Sequence, residues 1–332
     1  MQTASGRKFA LGCDIGATKV SLALAFSRGV IEERVVDSTR RMRKPESLVS
    51  EVSAMISSML GRKGLSRSDC VGIGVAFAGP VSFTEGKVIY GTNIPGWDDI
   101  PLAGMLSDAL SIPASIMNDA NVGALGEYRH GGHGQGDLLY VTISTGIGAG
   151  LVIGGRVYEG SSKVAGEIGH TTVAENGPSC GCGKRGCLET LSSGLSIARI
   201  ASERMRRETS SLIDRAGANG ETVNSAMVFE EARKGDMLSS EIVESACRYL
   251  GFALAGATML MSFSTIVLGG GMAREGEYLR KRVEFYTRKE LARGPNEKVR
   301  ILVSRMPERV VDIGAIELAF DAASERESHG AV

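Results

Sequence analysis

The sequence carries no net charge with which to attract a polyanion: its 38 Lys and Arg residues balance 38 Asp and Glu. That balance excludes a long-range pull toward a nucleic-acid backbone or an anionic membrane surface, so no nucleic acid and no membrane is expected as a partner. Long apolar runs are lacking too. No stretch reaches the roughly 18 uninterrupted apolar residues needed to span a bilayer, and residues 1–8 hold no apolar signal core. A soluble, cytoplasmic protein is therefore expected. Histidine occurs only four times and tryptophan once.

Glycine, by contrast, is abundant. The 44 glycines are nearly twice the usual share of about 7%, and they cluster in short loops after apolar runs, where backbone has to approach a ligand closely. At 332 residues and 35.0 kDa the chain exceeds a prior of about 150 residues per domain, which predicts two domains. A hydrophobic fraction of 43% can fill two cores.

The densest chemistry lies between His170 and Glu189. His170, Cys180, Cys182 and Cys187 place one imidazole and three thiols within eighteen residues, separated by glycines that let the backbone turn sharply. Three cysteines cannot all pair with one another, and the polar, glycine-rich setting is wrong for buried thiols, so the spacing predicts a tetrahedral zinc site. Protein fills all four positions, leaving none for substrate or an activated water. Such a zinc is structural, and it would fix Glu167 and Glu189 on either side as part of a ligand pocket. Cys13, Cys70 and Cys247 fall in apolar segments and are expected as small core residues.

Residues 9–15, 20–26 and 30–36 are short β-type runs joined at Gly16-Ala17-Thr18-Lys19 and at Arg28-Gly29, which predicts three consecutive antiparallel strands. Residues 45–60 then repeat Leu48, Val52, Met55, Ile56 and Met59 at helical spacing, and residues 71–77 and 115–117 form further strands, each after a helical stretch. An opening meander followed by alternating helices and strands describes a mixed α/β sheet. The same order restarts at residues 138–144, with a loop over Thr145-Gly146-Ile147-Gly148-Ala149-Gly150 and strands at 151–153 and 156–158. In this reading Ile15-Gly16-Ala17 and Ile147-Gly148-Ala149 occupy equivalent places. Two related α/β halves facing each other across a cleft follow: a small lobe of residues 1–118 plus 312–332, and a large lobe of residues 119–311 that carries the cysteine loop. Helices are expected over 188–208, 225–234 and 240–261 and up to about residue 293, with strands at 265–268 and 299–304. A last helix starts at Asp312 as its N-cap and ends near residue 323, leaving a frayed tail with His329 at the surface.

The segments Gly12-Cys13-Asp14-Ile15-Gly16-Ala17-Thr18 and Ser144-Thr145-Gly146-Ile147-Gly148-Ala149-Gly150 are read as small-residue hairpin tips whose backbone N–H groups converge on phosphate oxygens, with Thr18 and Thr145 as added donors. Asp14 is an acid at an otherwise apolar strand end, a costly position unless it meets a cation such as phosphate-bridging Mg²⁺. Gly269-Gly270-Gly271 after another strand completes a set that fits a nucleotide. Asn118-Asp119-Ala120-Asn121 stands where a strand passes into a helix, so one of these residues is expected to cap it. Asp119 is placed to take the proton of a hydroxyl that attacks the γ-phosphoryl group. Asn93, Asn118, Asp119, Glu167, His170 and Glu189 form the amide and carboxylate set that a hydroxyl-rich ligand requires. Trp97 reads as a packed loop residue, and His130 and His133 as a solvated loop.

On these residues the chain resembles the ROK family (repressor, open reading frame, kinase) in the actin and hexokinase superfamily. The resemblance runs from Gly12 to about Phe320 and is most specific over Glu167-Ile168-Gly169-His170 with the Cys180, Cys182, Cys187 and Glu189 spacing. It implies a two-lobed, ribonuclease H-like fold and an ATP-dependent sugar kinase acting on the 6-hydroxyl of a hexose, with glucose the first candidate and N-acetylmannosamine or N-acetylglucosamine next. It further implies phosphate contacts from Gly12, Asp14, Gly16, Ala17, Thr18 and Lys19 and from Thr145, Gly146 and Gly148, with Gly269, Gly270 and Gly271 by the adenosine. The hexose would meet Asn93, Asn118, Asp119, Glu167, His170 and Glu189 together with backbone near Gly79. Asp119 would be the base, Mg²⁺ the catalytic ion, and zinc the structural one, with His170 serving metal and sugar through its two ring nitrogens. Ala17 and Ser144 replace glycines frequent in the family. Repressor members carry a DNA-binding helix-turn-helix ahead of the first glycine loop, and the eleven residues before Gly12 are too few for one; a sugar sensor without turnover is the third reading. A homodimer or higher homo-oligomer is expected from the resemblance.

Overall fold

The computed structural model describes residues 6–16, 18–38, 44–91, 96–219 and 222–329. In chain order the elements are β1 (Phe9–Ile15), β2 (Lys19–Ala25), β3 (Glu33–Ser38), α1 (Pro45–Lys63), β4 (Cys70–Phe77), β5 (Val81–Ser82), β6 (Lys87–Val88), α2 (Leu102–Leu110), β7 (Ala114–Asn118) and α3 (Asp119–His130). There follow β8 (Leu138–Ile143), β9 (Ile147–Ile153), β10 (Arg156–Val157), α4 (Glu189–Ser192), α5 (Gly194–Arg204), α6 (Ser211–Asn219), α7 (Ser225–Arg233), α8 (Met237–Met261), β11 (Thr265–Gly269), α9 (Glu277–Glu290), β12 (Arg300–Val303) and α10 (Val310–His329). Two compact units result: Met1–Gly134 with Arg156–Ala165 and Arg309–Val332, and Gln135–Gly155 with Gly166–Glu308.

The first unit is built on a sheet of order β3-β2-β1-β4-β7. β1 runs antiparallel to β2 and parallel to β4, and β4 runs parallel to β7. Residue size decides what covers each face. On β1, Phe9, Leu11, Cys13 and Ile15 alternate with Ala10, Gly12 and Asp14, so the bulky side chains form one core with α1 and α2. The small residues Ala10, Ala23 and Ala25 leave the other face shallow enough for α10 to lie directly on it, packing Ile316 and Ala319 there. A methyl group on Gly74 would stand 1.9 Å from the Ala315 carbonyl oxygen, so only glycine admits the helix at that distance.

α3 packs on α10 in the same way: a methyl group on Gly314 would stand 1.9 Å from the Val122 carbonyl oxygen, and one on Gly126 2.4 Å from that of Val310. This close crossing keeps α3 within the first unit, so the boundary falls after Gly134 rather than before Asp119. Gly314→Ala is accordingly expected to lower stability by about 3 kcal/mol, because backbone rather than a flexible side chain must move. Urea unfolding would show it as a lower midpoint with an unchanged slope.

In the second unit β9, β8, β11 and β12 lie side by side, with β8 antiparallel to β9 and parallel to β11. One apolar core joins them to the helices, with Phe229, Ile242, Leu250 and Leu279 buried in it. Rank for rank, this order repeats β2-β1-β4-β7 of the first unit. The repeat is real, but the matching tripeptides are displaced: Ile15 ends the strand before its hairpin, whereas Ile147 begins the strand after its own. Equivalent positions are therefore Ile15-Gly16-Ala17 and Ile143-Ser144-Thr145.

Other expectations shift for local reasons. Val30 makes only an isolated bridge, and β3 starts at Glu33. The helix expected over 188–208 breaks at Ser193, whose hydroxyl accepts the Ser196 N–H and starts α5 anew. α10 begins at Val310 and continues to His329, so Asp312 is not its N-cap and residues 324–329 are helical rather than frayed. His130 and His133 are not a solvated loop: His130 Nε2 lies 2.9 Å from Glu317 Oε1, and buried His133 has Nε2 2.6 Å from Oε2 of buried Glu127. Trp97 is packed as expected, stacked on Phe77 at 5.2 Å, and Cys13, Cys70 and Cys247 are buried free thiols. Among the described residues no helix is long and apolar enough to cross a membrane.

Candidate functional site

In the first unit the chemistry gathers at the ends of β1, β4 and β7. The β1–β2 hairpin closes with Gly16 N–H donating to Lys19 O at 2.9 Å, and Thr18 sits at its tip; Ala17 lies outside the described residues, as does Asn93. Asn118 ends β7 and is the N-cap of α3, its Oδ1 accepting the N–H groups of Ala120 and Asn121 at 3.0 and 3.3 Å. Its amide nitrogen donates to Gly79 O at 3.1 Å, which ties the turn after β4 to the start of the helix. With Asn118 as the cap, Asp119 takes the first helical position, where Oδ1 accepts the Ala120 N–H at 2.9 Å.

Asp119 and Asp14 sense each other. Burial pushes the Asp14 carboxyl up to about 7, and the charges of Asp119 and Asp312 add to the rise against opposition from Lys19 and Arg34. Between about pH 4 and pH 7 the folded chain therefore holds a proton that the unfolded chain has released, and stability falls as pH rises through that window. The gap from 3.8 to about 7 corresponds to on the order of 4 kcal/mol above pH 7. Asp14→Asn is expected to melt higher than the parent at pH 8 and to match it near pH 4, measured by thermal unfolding at both pH values.

In the second unit a short 3₁₀ turn, Ile168–His170, is pressed against β9. Methyl groups on Gly166 and Gly169 would come within 2.0 Å of the Ala149 and Ile147 carbonyl oxygens, so both glycines are required for the contact. The turn places Glu167 and His170 beside the cysteine loop. His170 Nδ1 lies 3.5 Å from Cys180 Sγ, and Cys182 Sγ lies 3.6 Å from Cys187 Sγ. All four candidate donor atoms fall within 4.8 Å of one another. A tetrahedral zinc with Zn–S and Zn–N bonds of about 2.0–2.3 Å needs donors about 3.5–3.8 Å apart, so the residues fit the ion. Burial pushes the Cys187 thiol up to about 12, while a hydrogen bond from the Lys184 backbone holds Cys182 below its ordinary value; zinc binding would release the protons of both. The other ring nitrogen of His170, Nε2, faces Glu167 Oε2 at 3.8 Å.

Glu189, two residues past Cys187, reaches back across the sheet: its Oε2 accepts the Ile147 N–H at 2.9 Å. It lies over the β8–β9 hairpin so closely that a methyl group on Gly146 would stand 2.4 Å from that oxygen. The hairpin tip is Ser144-Thr145-Gly146, and Gly148 is a strand residue paired with Thr142 rather than part of a loop. Gly269 ends β11 under the Tyr140 ring, and Gly270, at φ 74°, passes the Ile143 backbone. The Ser144–Gly146 tip, the Gly269–Gly271 turn and Glu189 are thus neighbours.

A profile of the ROK family matches residues 10–322. The chain belongs to the ROK family. This ROK protein is 33% identical over 276 residues to the glucokinase of Halalkalibacterium halodurans, covering 82% of its own length and 83% of that protein. It is 30% identical over 282 residues to the N-acetylmannosamine kinase of Escherichia coli O1:K1, covering 85% and 89%. A ROK family glucokinase from Streptomyces griseus, solved with glucose and AMPPNP, superposes with a TM-score of 0.80 at 28% identity over 94% of this chain and 99% of that one. The two α/β units are accordingly the lobes of the actin/hexokinase-like fold.

Sequence reasoning missed Arg34, Asp312 and Ser21. Arg34 Nε donates to Asp312 Oδ2 at 2.6 Å, and Asp312 is only 2% exposed. The signal was present in Val310-Val311-Asp312-Ile313, an acid inside an apolar run, which is the same reason that singled out Asp14.

Proposed function

We propose that this ROK-family sugar kinase transfers the γ-phosphoryl group of ATP to the 6-hydroxyl of a hexose, glucose first, with N-acetylmannosamine and N-acetylglucosamine as alternative acceptors. The observation that carries the reading is Asp119 at the first turn of α3, held behind its Asn118 cap within electrostatic reach of Asp14. A carboxylate fixed at a strand-to-helix junction beside an acid suited to a cation is what phosphoryl transfer to an alcohol demands.

Asp119 accepts the proton of the attacking hydroxyl and orients its oxygen toward the γ-phosphorus. The new O–P bond forms as the bond to the β–γ bridging oxygen breaks, ADP departs, and the proton passes from Asp119 to solvent. Asp14 would hold Mg²⁺, which when bound offsets the charge of the phosphates. Backbone N–H groups of Ala17 and Thr18 and the Lys19 ammonium in one unit, and N–H groups of Thr145 and Gly146 in the other, are assigned to phosphate oxygens, and Gly269, Gly270 and Gly271 to the adenosine; Gly16, whose N–H is taken by Lys19 O, and Gly12, paired within β1, are assigned only close backbone approach. Gly148 keeps its assignment only through its place in β9 behind that hairpin. Asn93, Asn118, Asp119 and the Gly79 backbone are assigned to sugar hydroxyls from the first unit, and Glu167, His170 and Glu189 from the second. His170, Cys180, Cys182 and Cys187 would hold zinc, whose contribution is rigidity.

The names of the relatives support both acceptor classes: glucokinase in Halalkalibacterium halodurans and N-acetylmannosamine kinase in Escherichia coli. A coupled ADP-release assay over glucose, mannose, N-acetylmannosamine and N-acetylglucosamine separates them, with glucose expected to have the highest kcat/KM. ATP turnover with none of these sugars would remove the hexokinase reading.

A further inference from the structure

The face of the first sheet that meets α10 carries more acid than the phosphoryl-transfer reading uses. Asp14 pairs with Ser21 across β1 and β2, so both side chains point toward α10. Ser21 is fully buried, and its hydroxyl has no hydrogen-bond partner among the described residues. Asp312 comes down from the first turn of α10 over Gly12, where its carbonyl oxygen lies 2.9 Å from the place a methyl group would take. Gly12 and Ala23 are small and paired in one row with Arg34, which leaves a channel for the arginine to reach Asp312. Arg34 engages Oδ2 alone; Oδ1 of Asp312, 98% buried with the rest of the residue, has no partner among the described residues.

Two orphaned buried oxygens thus flank Asp14. Three carboxylates, Asp14, Asp119 and Asp312, gather against two cationic side chains, Lys19 and Arg34. Each orphan leaves the desolvation of a polar group uncompensated, far more so for an ionised carboxylate. An oxygen-seeking ion of charge two answers both deficits, since it takes carboxylate and hydroxyl ligands together and offsets the excess charge. We propose that Asp312, with Asp14 and the Ser21 hydroxyl, forms a divalent-cation seat that fills before any nucleotide arrives. The proposal rests on the reading of Asp14 as the Mg²⁺-binding carboxylate and adds a ligand from the far end of the chain. In this arrangement Arg34 is a positioning residue, turning Asp312 so that Oδ1 faces the ion.

The experiment is a Mn²⁺ titration of the full-length protein without nucleotide, followed by electron paramagnetic resonance. The parent is expected to take up one Mn²⁺ per chain. Asp312→Asn, which keeps an oxygen for Arg34, should weaken binding at least about tenfold, and Ser21→Ala should weaken it by about threefold. Circular dichroism checks that both variants fold; should Asp312→Asn fail to fold, Ser21→Ala alone decides, and undiminished Mn²⁺ affinity in it overturns the seat. No Mn²⁺ uptake by the parent, meaning that the space holds only water, also overturns it, as does equal affinity in Asp312→Asn. A protein that binds no free Mn²⁺ yet phosphorylates sugar with MgATP loses the seat and keeps the kinase reading. Mn²⁺ binding that depends on Asp312 without any sugar phosphorylation does the reverse.

Discussion

Asp119→Ala is expected to lose about a thousandfold or more in kcat, within the range that a removed general base accounts for when it also orients the nucleophile. Sugar affinity, by calorimetry, should change by less than about fivefold, because the remaining amide and carboxylate partners stay in place. The helix survives the change, since Asn118 rather than Asp119 is the cap that engages two N–H groups of the first turn. A loss of the Asp119 bond to Ala120 N–H would cost no more than about 1 kcal/mol. Asp119→Asn keeps the geometry of that bond and removes only the basic oxygen, so it should be nearly as inactive as the alanine variant. A kcat within tenfold of the parent in either variant would end the assignment of Asp119 as base. A second consequence tests the electrostatics: without the Asp119 charge the Asp14 carboxyl should titrate lower than about 7, seen by carbon-13 NMR of labelled aspartate.

Zinc removal should have the second large effect. One equivalent of zinc per chain is expected by mass spectrometry of metals, lost in Cys182→Ser. The loop it ties is otherwise lightly held: residues 181–185 are exposed, and among the described residues the turn is closed by bonds such as Cys180 N–H to Lys184 O at 2.8 Å and Arg185 Nη1 to Ser179 Oγ at 3.1 Å. Chelation should therefore make the chain at least about tenfold more sensitive to trypsin after Lys184 and Arg185, as local unfolding becomes accessible. The damage should spread in a defined direction. Glu189 stands two residues past Cys187 and holds Ile147 N–H behind the Ser144–Gly146 tip, so both sugar and nucleotide affinity should fall, while stability of the first unit is unaffected. Protection from trypsin that survives chelation, or zinc-free protein with unchanged KM for both substrates, would contradict the structural role.

The fold and the site were unequally legible. The β1–β2 and β8–β9 hairpins follow from short apolar runs around small turn residues. The candidate zinc ligands were legible because one imidazole and three thiols crowd into eighteen residues, and the structure brings their donor atoms within 4.8 Å of one another. Ile147-Gly148-Ala149 misled because a tripeptide identity carries no information about which side of a hairpin it stands on; pairing of Thr142 with Gly148 placed it in the strand. His133 misled because glycines around it suggested solvent, whereas Gly131 lacks a side chain so that Glu127 and His133 can meet: a methyl group there would be 2.3 Å from His133 Nε2 and 2.4 Å from Glu127 Oε2.

The sequence by itself determined what depends on neighbours along the chain: hairpin turns, a helix cap somewhere in Asn118-Asp119-Ala120-Asn121, the crowding of His170 with three cysteines, and the alternation of large and small residues on β1; the structure made Asn118 the cap. Only the tertiary structure decided which distant groups share a space. Arg34 meets Asp312 across 278 positions, and Glu189 meets Ile147 across 42. The physical reason is that local turns and caps are closed by bonds within a few residues. Partners across a sheet or under a helix are chosen by packing, here by the glycines that let α10 and the turn before His170 approach the backbone at all.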